Sequence, residues 1–471
     1  MKKTKIICSI GPASSSTEVM SKMVEAGMNV ARINFSHATY EDTDKVLKTI
    51  DEVRKVTGKM VAVLFDTKGP DFRCRIMQDS GVNLVKGNLI RIVKEDVVGT
   101  EESFSVNYSA ALDKIEIGNF VLLDDALMRL EVVGKDELGI TCKVIDGGIL
   151  VSRKGISVPG VDLGLPFMSK QDVEDIIYAC EHDGDFLALS FVQSKENIEE
   201  ARKILKEHNR EDMQIISKVE SCTAINNLDD IIEASDGIMV ARGDLGVEVP
   251  VQELPLLQKD MIRRCRRKGK FVIVATEMLA SMYTSARPTR AEVTDISNAV
   301  LDGTDAVMLS GESTVGKHPI EAVKYMADIC IEAEDYGKEY MTKFGIEKNN
   351  DVTEAIAGAI LTSVSVVDVK GIVVPTNGGH SAMVVSNLRP DPIILATCPN
   401  EKVARRLALN YGVYTKVVHI DDNNMDLAVF HAKKEAKEFF RLNKNDIIII
   451  TGGIHEDPNI KQTNFLKIEE I

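Results

Sequence analysis

The chain of 471 residues has few cysteines, no long apolar run and no excess of positive charge. Its eight cysteines stand singly, without a C-x-x-C pair or a histidine at metal-ligand spacing, which indicates free thiols in a reducing cytosol. No run approaches the roughly 20 apolar residues that a membrane helix requires. Residues 1–5 resemble the charged start of a signal peptide, but Ser9 and Gly11 break the following apolar stretch too early. We therefore expect a cytoplasmic protein with no membrane-spanning segment.

Acidic residues outnumber basic ones by 72 to 57, and the formal net charge is −15 at pH 7. This balance disfavours a protein whose main partner is nucleic acid or an anionic membrane. The basic run at 263–268 is interpreted as the solvated end of a helix, because no aromatic residues interleave to stack on bases. The composition is compatible with binding of small anionic metabolites, since a few basic side chains and a metal ion can make the local electrostatic potential positive.

Short apolar runs alternate with helical patterns over most of the first 345 residues. The runs are nearly continuous Val, Ile, Leu, Met and Phe, the pattern of parallel strands covered on both faces. They lie at 5–10, 29–34, 60–66, 186–191, 214–218, 237–241, 271–276 and 306–310. Eight strand–helix units favour an α/β fold closed into a (β/α)8 TIM barrel over an open sheet.

Two further units interrupt or follow this alternation. Gly punctuation and period-2 runs at 88–93, 119–123 and 140–145 predict a small inserted β domain, which a barrel tolerates as an enlarged loop on its working face. A helix at 352–366, followed by strands at 371–374, 393–396, 413–418 and 446–450, predicts an open α/β domain. We therefore expect a barrel at 1–69 and 168–345, a lid at 70–167 and a C-terminal domain at 346–471.

Functional groups of such a barrel collect at the carboxyl ends of its strands. Six predicted strand ends carry polar groups directly after an apolar run, and these groups begin at Arg32, Asp66, Lys218, Arg242, Thr276 and Ser310. Any one alone is more often a cap or a buried ion pair. Six at one mouth of the barrel predict a site.

The residue types at this mouth suit a small phosphorylated acid. Glu220 and Asp244 follow neighbouring strands, so they can share one Mg²⁺, which favours few protein carboxylates together with substrate oxygens. Lys218 lies two residues before Glu220 and therefore on the same side of its strand, where it can neutralise charge on a moving phosphoryl group. Arg32 offers a second, permanently charged phosphate ligand.

Glycine-rich segments follow two of the predicted strands. Gly243 and Gly246 flank Asp244 ahead of a predicted helix, so backbone N–H groups can face an anion there. The segment 311–318 is one residue short of a P-loop and has His318 where a Ser or Thr would bind Mg²⁺. We interpret that segment as the last turn of the barrel.

Seven motifs make the chain resemble the pyruvate kinase family. They are KIICSIGP (5–12), MNVARINFSH (28–37), DTKGP (66–70), ISKVE (216–220), MVARGDLGVE (239–248), ATEML (275–279) and PTRAEVTDISNAVLDGTD (288–305). The resemblance covers essentially the whole chain. It implies a TIM barrel with an inserted β-barrel lid domain and a C-terminal α/β regulatory domain, assembled as a homotetramer. The implied reaction is phosphoryl transfer from phosphoenolpyruvate to ADP, giving pyruvate and ATP in the final step of glycolysis.

The resemblance also assigns roles to the matching positions. Arg32 would bind the phosphoryl group, Lys218 would stabilise it during transfer, and Glu220 with Asp244 would hold Mg²⁺ or Mn²⁺. The substrate carboxylate would be received by the backbone at Gly243 and Asp244 and by the hydroxyl of Thr276. Nucleotide contacts are implied at Arg73, Lys154, His37 and Asn34, beneath a lid that closes and excludes water.

A monovalent-cation site is implied by the same resemblance. Its residues are Asn34, Ser36, Asp66 and Thr67, and the ion is usually K⁺. The family motif commonly continues Pro-Glu after DTKG, whereas this chain has Pro70-Asp71. In the family an acid at this position accompanies K⁺ dependence, so we expect K⁺ stimulation.

An effector loop in the last domain is implied at Thr376, Asn377, Gly378, Gly379, His380 and Ser381. Its hydroxyls and amides suit a phosphate ester, but the choice between fructose 1,6-bisphosphate, AMP and another sugar phosphate stays open. The nearby loop at 451–458 is acidic, which disfavours a bisphosphate. The proton donor to the enolate also stays open between Thr276, Lys218 and water.

Two other functions compete with the kinase. Related barrels that hold an enolate on a Glu–Asp pair include Mg²⁺-dependent lyases and aldolases, but the inserted lid with Arg73 and Lys154 argues against them. A non-catalytic metabolite sensor on the same scaffold would be expected to have lost some of Arg32, Lys218 and Glu220. Neither alternative accounts for all of the motifs.

Overall fold

The structure is a computed structural model that describes residues 1–338, 351–418, 425–453 and 462–471. It begins with three strands and two helices in alternation. These are β1 (Lys5–Ser9), α1 (Thr17–Ala26), β2 (Val30–Asn34), α2 (Tyr40–Thr57) and β3 (Ala62–Asp66). Each helix begins at a hydroxyl cap, since Ser16 accepts from the N–H of Val19 and Thr39 from that of Asp42.

An all-β unit follows β3. Its strands are β4 (Val82–Leu84), β5 (Leu89–Val93), β6 (Ser103–Ser105), β7 (Phe120–Leu123), β8 (Met128–Asp136), β9 (Gly139–Asp146), β10 (Gly148–Leu150) and β11 (Ile156–Ser157). Six of them form a sheet in the order β11-β7-β8-β9-β5-β6, and β10 pairs with β4. In the described residues the predicted lid is thus built as two sheets around one apolar core. The six-stranded sheet is open, since its short outer strands β11 and β6 are not paired to each other.

The strand–helix alternation then resumes. The strands are β12 (Phe186–Leu189), β13 (Gln214–Val219), β14 (Gly237–Ala241), β15 (Phe271–Ala275) and β16 (Ala306–Leu309). The helices are α3 (Lys170–Glu181), α4 (Lys195–Glu207), α5 (Cys222–Asn226), α6 (Leu228–Ala234), α7 (Arg242–Glu248), α8 (Leu254–Arg267), α9 (Arg290–Asp302), α10 (Gly311–Thr314) and α11 (Pro319–Gly337). Short 3-10 turns lie at Ser109–Lys114 in the lid and at Ala280–Tyr283 after β15.

The eight parallel strands close into a barrel in the order β1-β16-β15-β14-β13-β12-β3-β2. This confirms the predicted TIM barrel, with strand ends that differ from the predicted ones by one or two residues. Alternate side chains fill the inside of the barrel and a surrounding layer beneath the helices, so the strands are buried on both faces. All eight carboxyl ends consequently meet at one mouth.

The loop after β3 is held where it enters the lid. Asp172 in the capping box of α3 accepts a hydrogen bond from the N–H of Gly69 at 2.9 Å. Gly69 has a φ of +72°, and a Cβ there would lie 2.8 Å from Cβ of Ser190, so only glycine fits. This contact brings the end of β3 against the end of β12.

The C-terminal unit is an open α/β sheet. Its elements are α12 (Val352–Val366), β17 (Val369–Pro375), α13 (His380–Asn387), β18 (Ile394–Cys398), α14 (Glu401–Arg406), β19 (Val413–Val417), α15 (Met425–Phe439), β20 (Ile447–Gly452) and β21 (Phe465–Glu470). The strand order is β19-β18-β17-β20-β21. The sequence did not predict β21, an antiparallel edge strand whose alternation is weak. The expected domain boundary at 345 lies outside the described residues.

The C-terminal unit covers the amino end of the barrel. Leu409 joins the apolar cluster inside the barrel. Arg405 contacts both carboxylate oxygens of Asp185, at 2.9 and 3.1 Å, and Arg389 contacts Asp305 at 2.7 Å. No helix in the described part of the chain is long and apolar enough to cross a membrane.

Candidate active site

A cleft of about 670 Å³ lies between the carboxyl ends of the barrel strands and the lid. The barrel contributes side chains from several strand ends, which include Arg32, Asn34, Lys218, Glu220 and Asp244. The lid and its linkers contribute Asp71, Phe72, Arg73, Asp125 and Arg153. The predicted site and the inserted unit therefore face each other across one opening.

The ammonium group of Lys218 lies at the centre of the barrel side. Its Nζ donates to Oγ of Ser190 at 2.6 Å and to Oδ1 of Asp66 at 3.3 Å, and it lies 3.0 Å from Oε1 of Glu220. Burial lowers the pKa of Lys218, but the charges of Asp66 and Glu220 outweigh burial, and the net shift is upward. The lysine therefore stays positively charged at neutral pH.

Asp66 joins the two cations of the site. It accepts from Nε of Arg32 at 2.6 Å, and Arg32 also donates to Oγ of Ser9 at 2.7 Å. Burial raises the pKa of Asp66, but Arg32 and Lys218 together hold it below its usual range. Arg32 is thus fixed in orientation while it still lines the cleft.

Glu220 and Asp244 follow the adjacent strands β13 and β14 and line the same cleft. The pKa of Glu220 is raised to about 7, mainly by burial. The negative charge of Asp244 also raises this pKa, whereas the positive charge of Lys218 lowers it. Oε2 of Glu220 accepts from the N–H of Phe191 at 2.6 Å, whereas the buried Oε1 accepts no hydrogen bond and has the ion pair with Lys218, 3.0 Å away. Two nearby carboxylates, one with an oxygen that accepts no hydrogen bond, fit a divalent cation.

A cation held there would take most of its ligands from elsewhere. The described residues contain no group of three or more His, Cys, Asp or Glu side chains placed to hold a metal. Mg²⁺ and Mn²⁺ commonly combine one or two carboxylates with waters and substrate oxygens. The donor set therefore suits a metal that is bound together with an anionic substrate.

Thr276 lies beside Gly243, the residue before Asp244, in a strained conformation, and it is not among the residues that line the cleft. Its φ is +68°, which is unusual for a β-branched residue. The hydroxyl accepts from the N–H of Gly243 at 2.8 Å and donates to the carbonyl of Ala275 at 2.6 Å, while Arg242 donates to the carbonyl of Thr276 at 2.7 Å. The amide of Gly243, expected to receive a substrate carboxylate, is thus paired with Thr276 here.

The glycines around Asp244 lie inside a helix rather than ahead of it. Helix α7 begins at Arg242, directly after β14, and includes Gly243 and Gly246. The expectation that these glycines precede the helix is therefore wrong. Asp244 lies in the first turn of α7, where a carboxylate is stabilised by the helix dipole.

Three of the four expected nucleotide contacts line the cleft, and Lys154 does not. Arg73 and His37 line it, and Nε of Arg73 is 2.5 Å from Asp71. Lys154 instead pairs with Asp124 of the lid at 2.7 Å. The two lid cations are thus both paired with carboxylates of their own unit.

The residues of the expected monovalent-cation site lie on neighbouring strands. Asn34 and Asp66 are paired in register across β2 and β3, and Oδ1 of Asn34 accepts from the N–H of Ser36 at 3.0 Å. Thr67 is buried, and its carbonyl accepts from Ser190 at 2.7 Å. The four residues form one oxygen-rich corner next to Arg32.

The expected effector loop leads into α13, and its last two residues, His380 and Ser381, lie in the first turn of that helix. The hydroxyl of Thr376 accepts from the N–H of Gly379 at 2.9 Å, and Asn377 and Gly378 are exposed. The hydroxyl of Ser381 is paired with that of Thr463 at 2.6 Å in the interior. The distal loop at 451–458 is described only to residue 453, so its acidic part lies outside the described residues.

The polar segment after the last barrel strand has a structural role. Glu312, after β16, accepts from the N–H groups of Leu279 and Ser310 at 3.0 and 2.9 Å and is buried. Conversely, sequence reasoning missed Ser190, which contacts Lys218 directly. The signal was present, because Ser190 is also a polar residue immediately after a buried strand.

Comparisons with known proteins agree with this geometry. Family models described as the barrel domain and the alpha/beta domain of pyruvate kinase match residues 1–323 and 354–469. Curated pyruvate kinases from Bacillus licheniformis and Geobacillus stearothermophilus are 40% and 42% identical over 99% and 100% of this chain and 80% of each relative. A crystal structure of a pyruvate kinase from Cryptosporidium parvum, 35% identical, has a TM-score of 0.92 and covers 100% of this chain and 96% of that chain.

Replacing Glu220 tests the metal site directly. Glu220→Gln keeps the shape but removes the charge, and we expect Mn²⁺ binding to weaken by at least the about 10–100-fold that outer-shell changes cost. Free Mn²⁺ can be measured by electron paramagnetic resonance without any turnover. Glu248→Gln, which changes another carboxylate of the same cleft, serves as the control. Equal Mn²⁺ affinity in the Glu220→Gln variant and the wild type would exclude Glu220 as a ligand.

Proposed function

Because the chain belongs to the pyruvate kinase family, we propose that its cleft transfers the phosphoryl group of phosphoenolpyruvate to ADP. The groups that we assign to this transfer are Lys218, Arg32 and a divalent cation held by Glu220 and Asp244. The observation that carries this assignment of residues is the buried ammonium of Lys218. It lies 3.0 Å from Glu220 and lines the same cleft as Arg32 and Asp244.

Positioning and charge stabilisation are the main contributions that a protein makes to phosphoryl transfer. Arg32, held by Asp66 and Ser9, presents a guanidinium of set orientation to the phosphoryl oxygens. Lys218 supplies a second positive charge that does not have to reorganise during transfer. The bound divalent cation supplies further neutralisation of negative charge on the substrate.

The enolate that remains after transfer must gain a proton at carbon. Thr276 contacts Gly243 beside the predicted metal ligand Asp244, and its hydroxyl proton is directed at the carbonyl of Ala275. This pairing supports Thr276 as a group that orients the substrate and an ordered water, with the water rather than the hydroxyl as the immediate donor. The contact from Arg242 to the carbonyl of Thr276 maintains the strained backbone that this orientation needs.

The lid supplies the nucleotide side of the site. Arg73 and Lys154 are paired with Asp71 and Asp124, so we propose that ADP phosphates replace these carboxylates when the lid closes. Asn34 and His37 complete the nucleotide contacts from the barrel. We place the lid at 70–167, between barrel segments 1–69 and 168–345, with the regulatory domain at 346–471.

The competing functions have less support. A lyase or aldolase would use the Glu220–Asp244 pair but has no use for the lid cations Arg73 and Lys154. A sensor would not need the strain at Thr276, which costs on the order of 1–3 kcal/mol and typically persists at functional sites.

One assay separates these functions. Phosphoenolpyruvate, ADP, Mg²⁺ and K⁺ are supplied, and pyruvate is measured through lactate dehydrogenase and NADH. We expect ADP-dependent pyruvate formation, and a loss of about 10²–10³-fold in kcat for Lys218→Met, the size of effect seen when one preorganised charge-stabilising donor is removed. A lyase or a sensor is not expected to form pyruvate in this ADP-dependent way, so no pyruvate formation in the complete mixture would contradict the kinase and favour one of them.

We propose a K⁺ site at Asn34, Ser36, Asp66 and Thr67. The neighbouring Asp71 keeps a carboxylate at the position that accompanies K⁺ dependence in the family, and this carboxylate lies 2.8 Å from Lys68. We therefore expect added K⁺ to raise the rate of the wild type and to have a smaller effect on an Asp71→Lys variant. Equal wild-type rates in K⁺-free and K⁺-containing buffer would contradict the site.

We also propose that a phosphate ester binds at the exposed start of α13, within residues 376–381. The exposed residues Asn377 and Gly378 and the N-terminus of α13 support this proposal, whereas Ser381 is buried and pairs with Thr463. Fructose 1,6-bisphosphate, AMP and a second sugar phosphate can each be added at subsaturating phosphoenolpyruvate. We expect one of them to lower the half-saturating concentration, and no shift with any of them would refute the proposal.

The family resemblance supports a cytoplasmic homotetramer. The eight cysteines lie in described ranges as free thiols, seven of them buried, which suits a reducing compartment. Sedimentation equilibrium would show four chain masses of 51.8 kDa each for this assembly and a lower mass if it is wrong.

A further inference from the structure

Ser190 occupies the junction between three strand ends of the barrel. It follows β12 directly, is 3% exposed, and its Oγ lies 2.6 Å from Nζ of Lys218. The same hydroxyl lies 2.7 Å from the carbonyl of Thr67 at the end of β3. Because the ammonium has no lone pair, Lys218 must be the donor to Oγ, and the hydroxyl proton is left for the carbonyl of Thr67.

The hydroxyl differs from the other partners of the ammonium in its charge. Asp66 and Glu220 attract Lys218 at 3.3 and 3.0 Å, and a carboxylate attracts a cation over a broad range of directions. Ser190 is neutral and makes the shortest of these three contacts. It therefore sets the direction of the ammonium without neutralising the charge that a phosphoryl group would meet.

Ser190 is itself held rigidly. Its N–H donates to Oγ1 of Thr67 at 3.3 Å, and its Cβ lies against Gly69, where no side chain would fit. Gly69 is in turn fixed by Asp172 at 2.9 Å. The hydroxyl is thus bonded to the backbone carbonyl of Thr67 and its Cβ is packed against Gly69, so it cannot follow the lysine if the lysine moves.

We propose that Ser190 is a positioning residue for Lys218, holding the ammonium at the mouth of the barrel where it meets the transferred phosphoryl group. This inference rests on the proposed function. Without Ser190, the ammonium is free to settle between Asp66 and Glu220, where two carboxylates neutralise it. A displacement of this kind lowers the rate of transfer more than the binding of substrate, because it removes an interaction that strengthens in the transition state.

The chain offers a matched control one position from Lys218. Ser217 is also a buried serine and lies within β13, but its hydroxyl pairs with that of Ser235 at 2.6 Å on the outer face of the barrel. Ser217→Ala therefore removes a buried hydroxyl without touching the cleft. Any effect of merely losing a buried hydrogen bond should appear in both serine variants.

The experiment compares Ser190→Ala with Ser217→Ala in the full-length enzyme. For Ser190→Ala we expect kcat to fall about 10-fold or more, the value of one hydrogen bond to a charged group, with KM for phosphoenolpyruvate and ADP within about twofold of the wild type. For Ser217→Ala we expect unchanged kcat and a lower melting temperature. Equal losses of kcat in both variants, or unchanged kcat in Ser190→Ala, would overturn the proposal.

A double-mutant cycle provides the readout that a structural effect would not give. Adding Ser190→Ala to Lys218→Met should leave kcat unchanged, because the lysine that Ser190 positions is already absent. Adding it to Thr276→Val should still cost about 10-fold, as in the wild type. Independent, multiplicative losses with Lys218→Met would contradict a role through the lysine.

Failure of this inference can be told from failure of the proposed function. If Lys218→Met abolishes turnover and Ser190→Ala does not lower it, only the positioning role is wrong. If Lys218→Met keeps full turnover, the role proposed for the lysine is wrong and the inference falls with it. Should Ser190→Ala not fold, Ser190→Cys fills the same space with a weak acceptor and is expected to show the same selective loss of kcat.

Discussion

The buried ammonium of Lys218 is the constraint on which the rest of the site depends. Removing a charge from water costs several kcal/mol, and the cost is recovered only with well-placed partners. Those partners come from three consecutive strands of the barrel, with Asp66 at the end of β3, Ser190 after β12 and Glu220 after β13. A closed parallel barrel brings these three ends together although they are far apart in sequence.

The charges of the site do not balance among themselves. Asp66, Glu220 and Asp244 are acidic, while Arg32 and Lys218 are basic, so the group is negative when all five are ionised. The pKa of Glu220 is shifted upward, mainly by burial and also by the charge of Asp244, which agrees with an excess of negative charge in the group. A divalent cation would reverse the net charge and prepare the cleft for an anionic substrate. The phosphate-binding chemistry therefore does not require a basic protein, and the overall net charge of −15 is no obstacle.

Much of this arrangement could be predicted from local sequence patterns. Continuous apolar runs predicted all eight barrel strands, because parallel strands buried on both faces leave that pattern. The period of two residues along a strand placed Lys218 and Glu220 on one side, and the structure brings them to 3.0 Å. The position of Asp244, shortly after the next strand, follows from strand order.

Other features depend on contacts that no local pattern contains. Ser190 has the same sequence signal as many capping serines, and only the approach of β3 and β13 makes it a partner of Lys218. The glycines beside Asp244 were expected ahead of a helix, but α7 begins directly after β14 and includes them. The pairing of Lys154 with Asp124 and the separation of the lid into two sheets arise from long-range packing within the lid.

The central claim is that two carboxylates from adjacent strands hold one divalent cation beside Lys218. A crystal structure of the wild type with Mn²⁺ and oxalate, a small dicarboxylate that resembles the enolate of pyruvate, tests it most directly. The account predicts one anomalous Mn²⁺ peak at about 2.0–2.3 Å from an oxygen of both Glu220 and Asp244, with the ammonium of Lys218 next to the oxalate. A peak bound by neither carboxylate, or by one alone with the lysine turned away, would contradict it.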